Sequence, residues 1–176
     1  MTPTAFSALN FKHWIDEHRH LLKPPVGNKQ VWQDGEFIVM VVGGPNQRSD
    51  FHYNPTPEFF YQLEGDMNLR IRHDGQFQDI PIGEGEIFLL PSGIPHSPQR
   101  KADTVGLVIE QRRPEGAEDG LIWFCESCGH TLYTEMFRLA NVETQFPPVF
   151  DRYYSSEAHR TCSRCGWVMP PRAPKN

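Results

Sequence analysis

Between residues 30 and 111, short apolar runs that favour β-strands alternate with turn residues, and this alternation most constrains the fold. About eight such runs follow one another at regular spacing: QVWQ, EFIVMVVGG, FHY, EFFYQLEG, MNLRIR, FQDIPI, EIFLLP and TVGLVIEQ. The tetrapeptide HDGQ between two of them is typical of a hairpin turn. Short strands punctuated by glycine and proline predict an all-β sandwich or small barrel.

Different segments flank this β-rich region. Residues 11–22, FKHWIDEHRHLL, carry apolar side chains at helical spacing, and the prolines that follow are expected to end this helix. From about Pro114 the pattern changes to a mixed segment that contains all four cysteines and a loose tail. The sequence therefore predicts an N-terminal helix plus barrel at 1–114 and a small metal-binding element with a tail at 115–176.

Composition narrows the class of protein. Hydrophobic residues make up 38% of the 176 residues, so a folded globular chain is predicted. The net charge of −5 and the lack of a long basic run argue against a nucleic-acid partner. No run reaches the ~18 apolar residues of a membrane span. The first ten residues lack the pattern of a secretory signal. The predicted location is cytoplasmic.

Three residues in the β-rich region are candidate ligands of one metal ion: His52, Glu58 and His96. They stand in the segments HYNPTPE and GEIFLLPSGIPH, which resemble the two sequence motifs of the cupin superfamily. In cupins the first motif supplies two histidines and a glutamate, and the second supplies another histidine. Asn54 stands where the second histidine would be. The resemblance implies a double-stranded β-helix, or jelly-roll barrel, with a metal in its mouth.

Because Asn54 replaces the second histidine of the cupin motif, the predicted metal site has three ligands, and this number indicates its chemistry. His52, Glu58 and His96 would occupy one face of an octahedral ion and leave the other face open, as in non-haem Fe(II) oxygenases. Zinc would fit the same ligands but offers no redox chemistry to O2. Taken singly, the residues have simpler explanations: a solvated loop histidine, an edge-strand charge and a histidine in a tight turn. Three such coincidences at this joint spacing are not expected, so the sequence predicts an Fe(II) site.

Charged residues close to the candidate ligands indicate what the site binds. In an extended chain Arg48 lies on the same face as His52, and Arg100 lies on the same face as His96. Glu110 ends the apolar run VGLVIE, where a carboxylate would face a polar cavity. Guanidinium groups grip carboxylates through two hydrogen bonds, so the predicted substrate carries a carboxylate and two adjacent donor atoms. The simpler alternatives are surface salt bridges for the arginines and an ion pair between Glu110 and one of them.

The four cysteines form two C-x-x-C pairs, Cys125 with Cys128 and Cys162 with Cys165, separated by 33 residues. Each pair is followed by a glycine, which permits the tight turn of a metal knuckle. Four thiolates predict a tetrahedral structural site for iron or zinc. Disulfides are the alternative in an oxidising compartment.

Over nearly its whole length the chain resembles the 3-hydroxyanthranilate 3,4-dioxygenases in their single-cupin form. The blocks that carry this resemblance are WIDEH, LLKPPVGN, VVGGPNQRSDFH, PEFFYQLEG, GEIFLLPSGIPHSPQR, LVIEQRRP and the paired C-x-x-C segments. Enzymes of this family open the ring of 3-hydroxyanthranilate with both atoms of O2. Their product, 2-amino-3-carboxymuconate semialdehyde, cyclises to quinolinate, a precursor of NAD made from tryptophan through kynurenine.

The resemblance implies roles for individual residues. It implies catalytic Fe(II) on His52, Glu58 and His96, and a rubredoxin-like iron site, with zinc as the alternative, on Cys125, Cys128, Cys162 and Cys165. It implies substrate-binding and catalytic roles for Arg48, Arg100 and Glu110, and contact of Glu58 with the substrate as well as the metal. Whether Glu110 carries a proton or orients another group is left open. A homodimer is implied by the family alone.

Two other functions remain alternatives at this level. One is a cupin of another class, such as a metal-dependent isomerase using zinc or manganese; the missing histidine and the two arginines argue against it. The other is a non-enzymatic module that binds a small molecule and uses a zinc ribbon to contact nucleic acid or protein. The acidic net charge argues against this second alternative.

Overall fold

The computed structural model describes residues 7–24, 27–33, 35–46 and 48–171, except for the side chain at position 143. Its helical elements are α1 (Phe11–His18), a 3₁₀ turn (Arg19–Leu21), α2 (Val142–Ser155) and α3 (Glu157–Arg160). Its strands are β1 (Asn28–Gln30), β2 (Phe37–Gly43), β3 (Asp50–Tyr53), β4 (Glu58–Glu64), β5 (Met67–His73), β6 (Gln76–Ile82), β7 (Ile87–Leu90), β8 (His96–Arg100), β9 (Val105–Gln111), β10 (Asp119–Phe124) and β11 (Thr131–Phe137). The predicted tail lies, from residue 172 onward, outside the described residues.

The strands form two antiparallel sheets with jelly-roll topology. One sheet has the order β1-β2-β9-β4-β7 and the other β11-β10-β3-β8-β5-β6. The four-strand sets β2-β9-β4-β7 and β3-β8-β5-β6 are the two halves of a jelly roll. The remaining strands extend these halves: β1 lies at one edge of the first sheet, and β10 and β11 continue the second sheet beyond β3. The predicted all-β jelly-roll barrel is confirmed.

Seven of the eight predicted runs correspond to strands, but QVWQ does not. The first strand ends at Gln30, and Val31 packs as a buried residue outside any strand. The predicted hairpin at HDGQ is confirmed by the pairing of His73 with Gln76. Its two turn residues, Asp74 and Gly75, have φ angles of 49° and 72°. Two successive positive φ values are those of a type I′ turn, which suits the twist of the flanking strands.

Alternation along β2 divides the core into two parts. Met40 and Val42 point into the barrel, where they pack against a cluster that includes Phe60 and Leu69 from opposite sheets. Val39 and Val41 point to the other face of the sheet and pack against α1. This period of two is what a strand with two covered faces requires.

The N-terminal helix covers the outer face of the first sheet. The Asn10 side chain caps it by accepting a hydrogen bond from the backbone N–H of His13 at 3.0 Å. Trp14 and Ile15 are buried against the sheet. The helix predicted for 11–22 is confirmed, with its last turn tightened to a 3₁₀ geometry.

The C-terminal segment joins the barrel through the second sheet. β10 pairs with β3, the strand that carries His52. Helix α2 then packs on β10 through a third cluster that includes Trp123, Phe146 and Tyr153. The two units predicted from the sequence therefore share one sheet, and their division at residue 114 stays a prediction.

No helix within the described ranges is both long enough and apolar enough to span a membrane.

Candidate active site

The two sheets bring His52, Glu58 and His96 together in the barrel. His52 lies in β3 and pairs in register with His96, the first residue of β8. Glu58 begins β4 in the other sheet, so the NPTP turn carries the chain from one sheet to the other. One potential ligand atom from each residue lies within 4.8 Å of the others, and all three residues are buried. The predicted convergence of these three side chains is confirmed.

Glu58 and His96 form a pair that requires a cation. The Nδ1 atom of His96 lies 3.0 Å from the carbonyl oxygen of Ile94, which can only accept, so Nδ1 carries a proton. Its Nε2 atom then faces Oε2 of Glu58 at 3.0 Å. Among the described residues no donor makes a well-aligned hydrogen bond to this buried oxygen. Either a proton on Nε2 or a metal ion between the two atoms must offset the buried charge of the carboxylate.

The local pKa shifts favour the ligand form of the carboxylate. Burial alone would raise the pKa of Glu58, but His96 outweighs burial and lowers it to about 2. Burial disfavours the charged form of His96, yet the Glu58 carboxylate raises its pKa. Glu58 is therefore an anion held next to an imidazole that takes up a positive charge. A divalent ion bound between Glu58 and the neutral imidazole would take the place of that proton.

His52 is oriented by a second carboxylate. Its Nε2 atom lies 2.7 Å from Oδ2 of Asp119, a fully buried residue at the start of β10. Because an ionised carboxylate only accepts, Nε2 donates and Nδ1 keeps a free lone pair. Burial also lowers the pKa of His52, which favours the neutral imidazole that binds metals. Histidine ligands of metals are commonly fixed by a carboxylate in this way, so the residues present fit a metal ion.

The structure places Arg100 in the barrel interior with few partners. Its Nη1 atom donates to Oε1 of Gln62 at 3.0 Å. Its Nε atom is buried and has no partner among the described residues. Burial lowers the pKa of Arg100 to about 10. A guanidinium with an unpaired buried donor fits the predicted role of holding a carboxylate.

Gly106 provides the space that this guanidinium occupies. A Cβ atom at this position would lie 2.6 Å from Nη1 and 2.9 Å from Nη2 of Arg100. It would also lie 2.9 Å from Oε1 of Gln62. Any larger residue on this part of β9 would therefore displace Arg100.

Arg48 lies at the edge of the site and is held by Asp50. The Nε atom of Arg48 donates to Oδ2 of Asp50 at 3.1 Å, and its Nη2 atom donates to the same oxygen. The backbone carbonyl of Arg48 accepts a hydrogen bond from Gln99 of β8 at 3.0 Å. Arg48 therefore already has a carboxylate partner, and its predicted position on the face of His52 stays a prediction.

Glu110 lies opposite Glu58 on the neighbouring strand. Its ion-pair partner is Arg113, at 2.6 Å, and neither Arg48 nor Arg100. The simpler alternative, an ion pair of Glu110 with one of those two arginines, is therefore not the one that the structure shows. Burial, followed by repulsion from Glu58, raises the pKa of Glu110 to about 7.

Asn54, which replaces the second histidine of the cupin motif, has a structural role here. Its Nδ2 atom donates to Oε2 of Glu110 at 3.0 Å. Its Oδ1 atom accepts from the backbone N–H of Thr56 at 2.9 Å and from the Thr56 hydroxyl at 2.8 Å. The residue thus fixes the NPTP turn and one oxygen of Glu110.

Four residues that complete the site were not predicted from the sequence: Arg113, Asp119, Gln62 and Gly106. Arg113 and Asp119 connect Glu110 to His52, and Gln62 and Gly106 position Arg100. No spacing motif marks any of them. Their one shared signal is a polar or small residue within or next to an apolar run, which by itself is too common to identify a site.

Helix α2 covers the metal ligands from the side of the C-terminal segment. The ring of Phe146 packs edge-on against the ring of His52, with 5.3 Å between centroids. The Tyr154 hydroxyl lies 2.6 Å from Oγ of Ser49.

A cavity of about 550 Å³ opens beside helix α2, between Met40 of β2 and residues 139–142, and Arg113 lies in its wall. Because Met40 points into the barrel, this cavity adjoins the barrel interior, although none of the three candidate metal ligands lines it.

A second cavity, of about 580 Å³, lies near the loops that follow β4 and β6. Arg100 contributes to its wall, but none of the three candidate metal ligands does.

The four cysteines converge at a separate place. Sγ atoms are 3.6 Å apart in the pairs Cys125–Cys165 and Cys128–Cys162. A tetrahedral ion with bonds of about 2.3 Å has sulfur atoms about 3.8 Å apart, which these distances approach. A disulfide needs about 2.05 Å, and all four residues are free thiols, so the disulfide alternative was wrong.

Each cysteine pair forms a tight turn that ends in a glycine. The backbone N–H groups of Gly129 and Gly166 donate to the carbonyls of the first cysteine of each pair, at 2.8 and 2.9 Å. Their φ angles are 70° and 77°, a region that favours glycine. The predicted need for glycine in these two turns is confirmed.

The chain is similar to a known protein family, to curated proteins and to solved structures. A family model described as 3-hydroxyanthranilic acid dioxygenase matches residues 4–154. A 3-hydroxyanthranilate 3,4-dioxygenase of Xanthomonas euvesicatoria pv. vesicatoria is 60% identical over 162 residues, 92% of either chain. One from Ruegeria pomeroyi is 53% identical over 169 residues, 96% of this chain and 94% of that one. A cupin-2 domain protein of Shewanella frigidimarina, known as a crystal structure, is 21% identical, covers 60% of this chain and 95% of its own, and has a TM-score of 0.48.

Proposed function

The chain belongs to the 3-hydroxyanthranilic acid dioxygenase family, and from this premise we propose that it opens the ring of 3-hydroxyanthranilate with both atoms of O2. The product would be 2-amino-3-carboxymuconate semialdehyde, which cyclises to quinolinate. The observation that carries the proposal is the buried set of His52, Glu58 and His96, whose potential ligand atoms lie within 4.8 Å of one another. Because the chain belongs to this dioxygenase family, the two alternative functions, a metal-dependent isomerase and a non-enzymatic binding module, are excluded.

His52, Glu58 and His96 would hold Fe(II). When bound, the ion supplies a redox-active centre with one open face, where the hydroxyl and amino groups of the substrate and O2 can meet. The barrel contributes the exclusion of water, because all three ligands are buried. Phe146 contributes a further apolar wall at His52.

Arg100 would bind the substrate carboxylate. Its guanidinium is buried, and its Nε atom has no hydrogen-bond partner among the described residues. A substrate carboxylate would accept a charge-assisted hydrogen bond from this atom. Arg48 would be the second anchor, at the rim, where Asp50 holds its guanidinium in a fixed direction. Fixing the carboxylate determines which ring bond faces the open side of the metal.

Glu110 would accept a proton from the amino or hydroxyl group of the substrate. A pKa of about 7 suits a group that must be ionised before the reaction and protonated after it. Asn54 and Arg113 both donate to its Oε2 atom, which leaves Oε1 for the substrate. Glu58 would contact the substrate only as its neighbour on the metal.

The cysteine cluster would hold a second iron ion, or zinc, in a structural role. The distances of 3.6 Å between sulfur atoms support a tetrahedral ion, but iron and zinc both satisfy them. Metal analysis of protein purified without chelators distinguishes the two. Cysteines in two C-x-x-C pairs favour metal binding in a reducing compartment, and we propose a cytoplasmic location.

A homodimer would cover an exposed apolar strip on the first sheet. Ile87 and Leu89 of β7 are 65% and 63% exposed. They pair with Tyr61 and Phe59 of β4, so the strip continues across two strands. Light scattering should give twice the mass of the chain, and Leu89→Glu should give the monomer. A monomeric wild-type protein at micromolar concentration would contradict the dimer.

The test of the proposed function is turnover by iron-loaded protein. The protein is loaded with Fe(II) without oxygen, mixed with 3-hydroxyanthranilate and exposed to air, while product absorbance and O2 uptake are followed. We expect equal amounts of O2 consumed and product formed. His96→Ala should lose both turnover and the iron of the triad, whereas His73→Ala, a change of an exposed histidine on β5, should lose neither. Wild-type protein with a full complement of iron and no product would reject the proposal.

A further inference from the structure

The guanidinium of Arg113 lies at the centre of a buried network between Glu110 and His52. Its Nη2 atom donates to Oε2 of Glu110 at 2.6 Å and to Oδ2 of Asp119 at 2.7 Å. Its Nε atom donates to Oδ1 of Asp119 at 2.8 Å. The same Oδ2 of Asp119 receives the hydrogen bond from His52. One nitrogen atom thus sets the separation of two carboxylates that serve different parts of the site.

Burial makes this network sensitive to the loss of the guanidinium. The side chains of Arg113, Glu110 and Asp119 are 6%, 5% and 0% exposed. Two anions that share one cation in such an environment repel each other when the cation is removed. Glu110 and Asp119 would then separate, and Asp119 is bonded to His52. A substitution of Arg113 is therefore expected to shift both His52, a candidate metal ligand, and Glu110, the proposed proton acceptor.

The geometry requires arginine and not merely a positive charge. Arg113 uses Nε and Nη2 on Asp119 and its Nη1 atom on the backbone carbonyl of Gln111 at 2.9 Å. Lysine has one nitrogen and cannot hold this carboxylate through two donors while it also bonds the carbonyl. Arg112, the preceding residue, is exposed and bonds the backbone carbonyls of Gln33 and Gly35. It is a matched control of the same type, one position away.

We propose that Arg113 is a positioning residue that sets the spacing between Glu110 and the metal ligand His52, acting on His52 through Asp119. The guanidinium holds Glu110 on one side and Asp119 on the other, so that the proton acceptor and the metal keep one separation. The inference rests on the proposed function for the role of Glu110. Its effect on His52 depends only on metal binding.

The test compares Arg113→Lys and Asp119→Asn with the control Arg112→Lys. Two quantities are measured: the affinity for Fe(II), by anaerobic competition with a chelator, and the separate values of kcat and KM for the iron-loaded enzyme. For Arg113→Lys and Asp119→Asn we expect about 10- to 100-fold weaker iron binding, the range found when partners of metal ligands are changed. We expect kcat to fall about 10-fold or more, with KM within about threefold, because Arg113 does not anchor the carboxylate. Arg112→Lys should leave both quantities unchanged.

A purely structural role predicts something else. It would lower the melting temperature while the iron affinity and kcat of the folded fraction stay at wild-type values, and that result would overturn the proposal. An equal loss in Arg112→Lys would also overturn it. If Arg113→Lys does not fold, Arg113→Gln, which keeps an N–H donor but no charge, replaces it in the same comparison. If wild-type protein binds iron but does not turn over 3-hydroxyanthranilate, the proposed function fails, while the iron affinities still decide the role of Arg113.

Discussion

Replacement of Gly106 by alanine is expected to displace the guanidinium of Arg100 and to weaken substrate capture. The new Cβ atom would lie 2.6 Å from Nη1 and 2.9 Å from Nη2. Heavy atoms that do not bond need about 3.5 Å, so the guanidinium must move by roughly 0.6–0.9 Å. Arg100 is buried and bonded to Gln62, so it cannot turn away without breaking that hydrogen bond.

The size of the effect follows from this displacement. A misplacement of about 1 Å in a group that orients the substrate costs on the order of 100-fold in rate. We therefore expect kcat/KM to fall about 100-fold in Gly106→Ala, equivalent to about 3 kcal/mol. Most of the change should be in KM, since the carboxylate is bound before the reaction as well as during it. Iron content should be unchanged, because Gly106 is not among the candidate ligands.

The assay is steady-state kinetics on Gly106→Ala, Arg100→Met and the double variant, each with its iron content measured. If the alanine acts only through Arg100, it has no further effect once Arg100 is methionine. A full 100-fold effect of the alanine in the Arg100→Met background would refute this reasoning. So would wild-type kcat/KM in Gly106→Ala.

Three further predictions concern other parts of the molecule. Trp14→Ala, which empties the contact between α1 and the sheet, should cost about 3–5 kcal/mol of the free energy of unfolding by denaturant titration. Its kcat/KM should not change, and a loss of activity in the folded variant would contradict the assigned role of the helix. Cys162→Ala should release the metal of the cysteine cluster and lower the Tm by more than about 5 °C, because the binding energy of a structural metal is folding energy; an unchanged metal content would count against the site. Since Glu110 must be ionised to accept a proton and its pKa is raised to about 7, kcat/KM should rise as the pH increases through about 7. Glu110→Gln should lack this inflection, and an identical pH profile in that variant would exclude Glu110 as its source.

Most of the barrel could be predicted because its strands bury apolar side chains at a period of two. Strand β8 was not predicted because it lacks this pattern: its sequence, HSPQR, is polar and contains proline. Its inward positions are filled by His96, Pro98 and Arg100, and we have proposed that His96 binds the metal and Arg100 the substrate. A strand whose buried face is a functional site carries no hydrophobic signal, so periodicity alone does not find it.

The metal ligands could be predicted because a motif fixes their spacing, whereas their supporting residues have no such motif. In the segment EQRRP, a period of two would place Arg112 on the face of Glu110. The strand ends at Gln111, so the alternation stops there and Arg113 turns inward instead. Only the fold brings Asp119, on β10, within reach of Arg113 and His52. Arg113, the partner of Glu110, was therefore not predicted from the sequence, although Glu110 itself was found.

The most direct test of the account is the position of iron in crystals of Fe(II)-loaded protein grown with 3-hydroxyanthranilate in the absence of O2. Anomalous diffraction at the iron edge should give a peak bonded to His52, Glu58 and His96, with the substrate carboxylate on Arg100. Crystals that contain iron but show no peak between these three side chains would contradict the assignment of the active site.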